Sequence, residues 1–355
     1  MDELFPEDPD KPAVPGSRIA VLAVGGNALI REGQVGTLRE QERAADKVAA
    51  NILALIREGY RVVVVHGNGP QVGRELIRSE EASTKVPPHS LDVCVASTQG
   101  SIGNLLMRAL RNQMKRSGMT RPVSVVVTQV LVSEQDPAFH QPTKPVGPFL
   151  SAWRAKEISR ANGHKVVEDA GRGWRRVVPS PKPLDVFGIE AIETLLEAKH
   201  VVIAGGGGGI PVAVNAKGRL EGVDAVIDKD RTAALIAGFV GADVLAILTA
   251  VDNVFVDFGK PEQRALEQVD TSLMRDYLDQ GHFATGSMGP KVESALYFIE
   301  EGGSAAIITS PERLVAALND RAGTRITGMG STGAVVKRQL RLFEDPDSDG
   351  PDTDL

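Results

Sequence analysis

Apolar residues fall along this chain in two alternating textures. Short continuous runs rich in β-branched residues read as strands buried on both faces: RIAVLAV (18–24), RVVVVHG (61–67), PVSVVVTQVLV (122–132), HVVIAGG (200–206), ADVLAILTAV (242–251) and AAIIT (305–309). Between them the spacing becomes helical. Residues 39–58 set Val48, Ile52, Leu55 and Ile56 on one face, and Gly59 follows as a stop. Similar patterns cover about 92–117, 187–198, 229–240, 290–301 and 311–319. The alternation predicts an α/β fold with a parallel sheet covered by helices on both faces. Ligands of such sheets lie at the carboxyl ends of the strands.

One stretch breaks this rhythm. Residues 133–183 hold many of the prolines and both tryptophans, Trp153 and Trp174, with little strand–helix alternation. About fifty residues is too long for an ordinary connection. The stretch predicts a small inserted subdomain of hairpins and turns, placed to reach over a site.

Charge divides the chain differently. The net −6 is concentrated at the ends: residues 1–16 carry −4 and residues 342–355 carry −6, leaving the body at +4. Both ends are acidic and proline-rich with little to bury, which predicts disordered tails over 1–17 and 342–355. The mildly positive body suits small anionic substrates, and without a dense Lys/Arg stripe it does not suggest nucleic acid. No apolar run approaches the ~20 residues of a membrane span, and the first residues lack the pattern of a signal peptide. A single cysteine, Cys94, lies in the apolar context LDVCVAS and reads as a small buried hydrophobe in a chain suited to a reducing cytoplasm.

Three strand-end loops are rich in glycine: AVGGNAL (23–29), HGNGPQVG (66–73) and the five glycines of VVIAGGGGGIPV (201–212). A dinucleotide fingerprint begun at Gly205 fails at Ile210, and a linker would not follow an apolar strand so directly. Two readings of the run remain, an anion cradle of bare backbone amides or a tight turn packed beneath another element. Pro70 suits the first turn of a helix whose N-terminus can hold negative charge. His66, at a strand end, is a candidate general base or a structural hydrogen-bonder. Three lysines stand beside turns near the ligand-facing edge: Lys144 in TKPVGP, Lys229 in VIDKD and Lys291 in GSMGPK. Together they read as a phosphate clamp. No Walker sequence, protein-kinase catalytic loop or zinc-ligand spacing is present.

Ten segments then occur in the order seen in carbamate kinase: AVGGNAL, HGNGPQVG, LDVCVASTQGSIG, PTKPVGPF, EDAGRGWRRVVPSPKP, GGGGIPV, GVDAVIDKD, ILTAVDNVFVDFGKP, GHFATGSMGPKVESA and AIITS. Over about 18–328 the chain resembles that family, a branch of the amino-acid kinase group. Departures are modest, Val24 in the first motif and Thr285 where proline is more usual.

The resemblance implies an open three-layer α/β/α sandwich with a mostly parallel sheet and a small protruding subdomain. An N-terminal half (18–220, containing the subdomain 133–183) would bind carbamate or carbamoyl phosphate, and a C-terminal half (221–341) would bind ATP or ADP. The implied reaction is reversible phosphoryl transfer between ATP and carbamate, using Mg2+ carried mainly by the nucleotide phosphates, in a homodimeric enzyme of fermentative arginine breakdown. Lys144, Lys229 and Lys291 match the family's phosphate-contacting lysines, with Asp230 orienting them and Asp228 helping to position metal or backbone. Gly25, Gly26, Asn27, Gly67, Asn68, Gly69, Gly206, Gly207 and Gly208 would line the acceptor site. Val251, Asp252, Met288 and Pro290 would join Lys291 on the nucleotide side. Carbamate is already an anion, so its attack needs no general base and none is asked of His66. Competing readings are a catalytically silent or regulatory paralogue and a kinase of another small carboxylate.

Overall fold

The computed structural model describes residues 18–328 apart from 31–33, 163–164, 169–170, 172 and 285. Both acidic ends and Thr285 therefore lie outside the described residues.

The chain opens with β1 (Ile19–Val24), all six residues buried, and α1 (Leu38–Arg57). Thr37 starts this helix with a reciprocal capping box: its hydroxyl accepts from the Glu40 amide, and the Glu40 carboxylate accepts from the Thr37 amide at 2.7 Å. β2 (Arg61–His66), α2 (Gly69–Glu81) and α3 (Leu91–Arg116) follow.

The third apolar run, expected as one strand, is two: β3 (Val123–Val125) and β4 (Gln129–Leu131), which join different sheets. The break has a visible cause. The Gln99 side chain on α3 takes the Thr128 amide at 2.9 Å, while the Thr128 carbonyl accepts from the Ile210 amide at 2.9 Å as well as from Gln99 at 3.0 Å, so the chain leaves one sheet and enters the other at this residue.

Next come β5 (Lys144–Leu150), α4 (Ala152–Asn162), β6 (Val166–Glu168), β7 (Trp174–Val178), β8 (Asp185–Val186) and α5 (Ile189–Glu197). The inserted segment is thus not hairpins and turns alone. Its antiparallel sheet, ordered β5-β7-β6, carries a helix that hydrophobic periodicity could not reveal. Ala155 is buried while Trp153 is exposed, so α4 lacks the apolar stripe that marks a core helix. Ion pairs from Arg176 to Glu80 (2.8 Å) and from Arg154 to Glu81 (3.3 Å) tie this segment to the end of α2.

The chain then forms β9 (Val201–Ile203), β10 (Ile210–Val214), β11 (Leu220–Gly222), α6 (Lys229–Phe239), β12 (Val244–Leu248) and the hairpin β13 (Val254–Val256) with β14 (Arg264–Leu266). It ends with β15 (Gln268–Asp270), α7 (Thr271–Asp279), α8 (Met288–Glu300), β16 (Ala305–Thr309), α9 (Leu314–Leu318) and β17 (Thr324–Thr327). The helix expected over 311–319 is a 3-10 turn, Pro311–Arg313, followed by the short α9.

Among the described residues the main sheet has eight strands, ordered β15-β17-β16-β12-β1-β2-β9-β3, all neighbours parallel except β16 with β17. Alternate residues serve opposite faces, and both faces are apolar. Val21, Val63 and Leu245 pack with Ile192 (α5), Ala233 (α6) and Val292 (α8), whereas Leu22, Val64 and Ala246 pack with Ile52 (α1), Leu106 (α3) and Leu314 (α9). The result is an open three-layer α/β/α sandwich. A third cluster, including Val72, Leu76, Val146, Val178 and Ile210, fastens the small sheet to α2 and β10. Cys94 lies in this cluster, where burial pushes its thiol up to about 11, in keeping with an inert apolar role.

Candidate active site

Strands β12, β1, β2 and β9 lie side by side and parallel, so their carboxyl ends share one edge of the sheet. Three of them end in the glycine loops. At the β1–β2 junction the backbones nearly touch: a Cβ on Gly67 would fall 2.5 Å from the Gly26 amide nitrogen. Gly25 and Gly26 lead into a 3-10 turn, Gly26–Ala28; Asn27 lies in this turn, its side chain outside the description. Gly69 begins α2, with Pro70 beside it and Asn68 as the preceding residue. The Asn68 side chain is fixed from α3, donating to Thr98 Oγ1 at 2.8 Å.

The glycine run between β9 and β10 is buried throughout, with Gly205, Gly207, Gly208 and Gly209 at positive φ. At Gly207 both demands coincide: φ is +70°, and a Cβ would overlap the Asn68 side-chain nitrogen. Surrounding polar groups clamp the turn. Gln99 Nε2 donates to the Gly206 carbonyl at 2.9 Å, Thr232 Oγ1 to the Gly208 carbonyl at 2.7 Å, and the Gly205 amide to Thr128 Oγ1 at 2.9 Å. The turn's own bonds run from the amides of Gly208 and Gly209 to the carbonyls of Gly205 and Gly206. They leave the amides of Gly206 and Gly207 with no acceptor inside the turn. The run is therefore packed under neighbouring elements and also keeps two amides in its first positions.

His66 is buried, with Nδ1 3.1 Å from the Gly67 carbonyl. A carbonyl only accepts, so Nδ1 carries the proton. Burial pushes the imidazole down to about 4, which leaves it neutral at pH 7.

The three lysines meet at the head of α6. Asp228 precedes that helix; its Oδ1 accepts from the Asp230 amide at 2.9 Å while its Oδ2 accepts from Lys144 Nζ at 2.7 Å. Asp230, 3% exposed at its side chain, receives Lys229 on Oδ1 and Lys291 on Oδ2, the latter at 2.8 Å from α8. One helix start thus gathers a lysine from the inserted segment, one from α6 and one from α8. Two carboxylates hold three ammonium groups, leaving one positive charge in excess.

Burial shapes the electrostatics of each member. It pushes Asp228 up, but the charges of Lys144 and Lys229, with the hydrogen bonds from Lys144 and the Asp230 amide, hold this carboxyl well below the usual range. It pulls Lys291 down, but the Asp230 carboxylate, backed by Asp228, carries it above the ordinary lysine value. It also pulls Lys229 down, and there, with the Lys291 charge alongside, the carboxylates do not restore it. Lys144 is the most open of the three, its side chain 38% exposed against 12% for Lys229 and 18% for Lys291.

The lysine cluster and the glycine loops adjoin. A Cβ on Gly25 would lie 3.9 Å from Lys229 Cε, and one on Gly208 would overlap the Ile227 carbonyl just before Asp228. Met288 and Pro290 share the first turn of α8 with Lys291. Val251 and Asp252 follow β12; Asp252 Oδ1 accepts from Ser310 Oγ at 2.5 Å, at the end of neighbouring β16. Among the described residues no hydrogen bond joins Asp252 to the lysines. Gln99, Thr98 and Thr128 were not singled out from the sequence; the polar pair Thr98–Gln99 on a helix face that also buries Cys94, Val95 and Ile102 was the available signal.

Two further observations bound the chemistry. Among the described residues no group of three or more His, Cys, Asp or Glu could hold a metal ion. No described helix is long and apolar enough to cross a membrane.

Comparison with known proteins places the chain. The sequence profile of the Amino acid kinase family matches residues 18–310. A carbamate kinase of Thermococcus kodakarensis is 44% identical over 309 residues, covering 86% of this chain and 98% of that relative. A carbamate kinase-like protein of Escherichia coli, YahI, is 46% identical over 311 residues, 87% of this chain and 98% of the relative. Among solved structures, a carbamate kinase from Giardia lamblia bound to AMP-PNP superposes with a TM-score of 0.82 at 40% identity, covering 89% of this chain and 100% of the other.

Proposed function

Because the chain belongs to the carbamate kinases of the amino acid kinase family, we propose that it moves a phosphoryl group reversibly between ATP and carbamate, giving ADP and carbamoyl phosphate. The observation that carries this reading is the lysine cluster: Lys144, Lys229 and Lys291, held on Asp228 and Asp230 beside three glycine loops.

Bringing an anionic acceptor to a polyanionic nucleotide is the main obstacle, and fixed positive charge is the remedy. The two aspartates hold the lysine heads before substrate arrives, so little reorganisation is left for the moment of transfer. Carbamate attacks as an anion, which is consistent with a neutral, buried His66. The acceptor is assigned to Gly25, Gly26, Asn27, Gly67, Asn68, Gly69 and Gly206–Gly208, within an N-terminal half (18–220). The nucleotide is assigned to Val251, Asp252, Met288, Pro290 and Lys291 in the half from 221 to 341, whose last residues, 329–341, lie outside the described ones. Asp228 and Asp230 are both engaged by lysines, so magnesium would come on the nucleotide's phosphates rather than be held in a protein cage. A cytoplasmic homodimer making ATP in the arginine deiminase pathway is the setting this reading favours.

The test is ATP formation from ADP, magnesium and carbamoyl phosphate by the purified protein, with Lys229→Ala alongside. Turnover by the wild type, reduced on the order of 10²-fold or more in the variant, is expected. Wild-type turnover no higher than that of the variant would overturn the kinase reading.

A further inference from the structure

Gln71 is the third residue of α2 and only 7% exposed, yet both its Oε1 and its Nε2 are buried without a hydrogen-bond partner. Other buried amides of the site are satisfied: Asn68 donates to Thr98, and Gln99 holds Thr128 and Gly206. Burying a carboxamide with donor and acceptor both unpaired is costly, and such groups call for a specific explanation. Its place supplies one. Helical side chains lean toward the helix N-terminus, which directs this one toward the first turn of α2. That turn starts at the carboxyl end of β2, where a Cβ on Gly26 would fall 3.1 Å from the Gly69 amide nitrogen. The side chain has no hydrogen bond to break in turning onto a ligand there.

We propose that Gln71 is a specificity residue that reads the amino group of carbamate, an assignment that rests on the function proposed above. A carboxamide presents an N–H donor and a carbonyl acceptor side by side. Carbamate presents the complement on one carbon, an oxygen that accepts and an N–H that donates. Two parallel hydrogen bonds can form, Nε2 to the substrate oxygen and the substrate N–H to Oε1. Acetate, of nearly the same shape, sets a methyl against Oε1 and leaves it unpaired. A helix N-terminus alone would attract both anions equally; the unpartnered amide separates them. Sites built to bond a polar group discriminate strongly against analogues that lack it.

The experiment compares carbamoyl phosphate with acetyl phosphate as phosphoryl donors to ADP in the wild type, Gln71→Leu and Gln71→Met. The expected result is a fall of at least about tenfold in the ratio of kcat/KM for carbamoyl over acetyl phosphate in both variants. Structural damage would lower both substrates together and leave the ratio alone. A ratio within twofold of wild type in whichever variant folds overturns the assignment, as does equal loss of both activities. An inactive wild type overturns the kinase reading and this assignment with it; an active wild type whose variants keep the ratio overturns this assignment alone.

Discussion

The glycine turn at 205–209 and the lysine cluster at the head of α6 lie against each other but are built on opposite terms. The turn has no side chains and is held by shape, with positive φ at four of its five residues and clamps from Gln99, Thr128 and Thr232. The cluster is held by charge: five ionised side chains drawn from three separate parts of the chain. Shape of the first kind is set during folding and leaves no tolerance for an added atom. Charge of the second kind can be altered while leaving most of the packing intact. The two regions should therefore fail differently, one in stability and the other in turnover.

The largest effect is expected in the turn. Gly207→Ala places a methyl against the Asn68 side chain in a backbone conformation that alanine avoids. Strain and overpacking together should cost about 3–5 kcal/mol of unfolding free energy, read by denaturant titration. A loss below about 1 kcal/mol would show that the turn is not shape-limited. Lys144→Ala probes the other region. Its side chain is more than a third exposed, so its pair with Asp228 adds little to stability, about 1 kcal/mol or less. Turnover should nonetheless fall about 10²-fold, because the charge it places beside α6 is lost. Near wild-type turnover would detach the inserted segment from the chemistry; a large stability loss would erase the contrast between the regions.

The two regions also differed in how far the sequence disclosed them. Strand β1 and helix α1 were legible because continuous apolar runs and 3.6-residue periodicity follow directly from burial on a two-faced sheet. The strand-end glycines were legible as well, since the parallel sheet brings them to one edge. The split of residues 122–132 was not. It depends on a side chain, Gln99, reaching from another element to Thr128. Helix α4 escaped for the opposite reason, because it buries too little to show a stripe. In the candidate site the lysines were recognisable by context, but their convergence on Asp228 and Asp230 is a tertiary fact. Gln71 stands within HGNGPQVG, but nothing in the sequence set it apart there. Its two unpaired atoms are a property of packing, invisible until the neighbours that fail to bond it are known.

Acid sharpens the contrast between the regions, and in an unexpected direction. In the charged cluster Asp228 is held below, and Lys291 above, its ordinary value, both away from neutral pH, while burial draws Lys229 down from its own. In the shape-built region the titratable group is His66, buried at the carboxyl end of β2, where a Cβ on Gly206 would fall 2.5 Å from its Nε2. Its folded value of about 4 lies below its unfolded value of 6.5. Between these values the unfolded chain binds the proton and the folded chain refuses it, so stability rises with pH across that window. The contribution is complete above 6.5 and is lost as pH falls toward 4. At pH 5 the loss is about 2 kcal/mol relative to pH 7. Unfolding free energies of wild type and His66→Gln at pH 7 and pH 5 check this. The wild type should lose about 2 kcal/mol more than the variant over that interval. Equal losses would mean that His66 is protonated in the folded chain at pH 5.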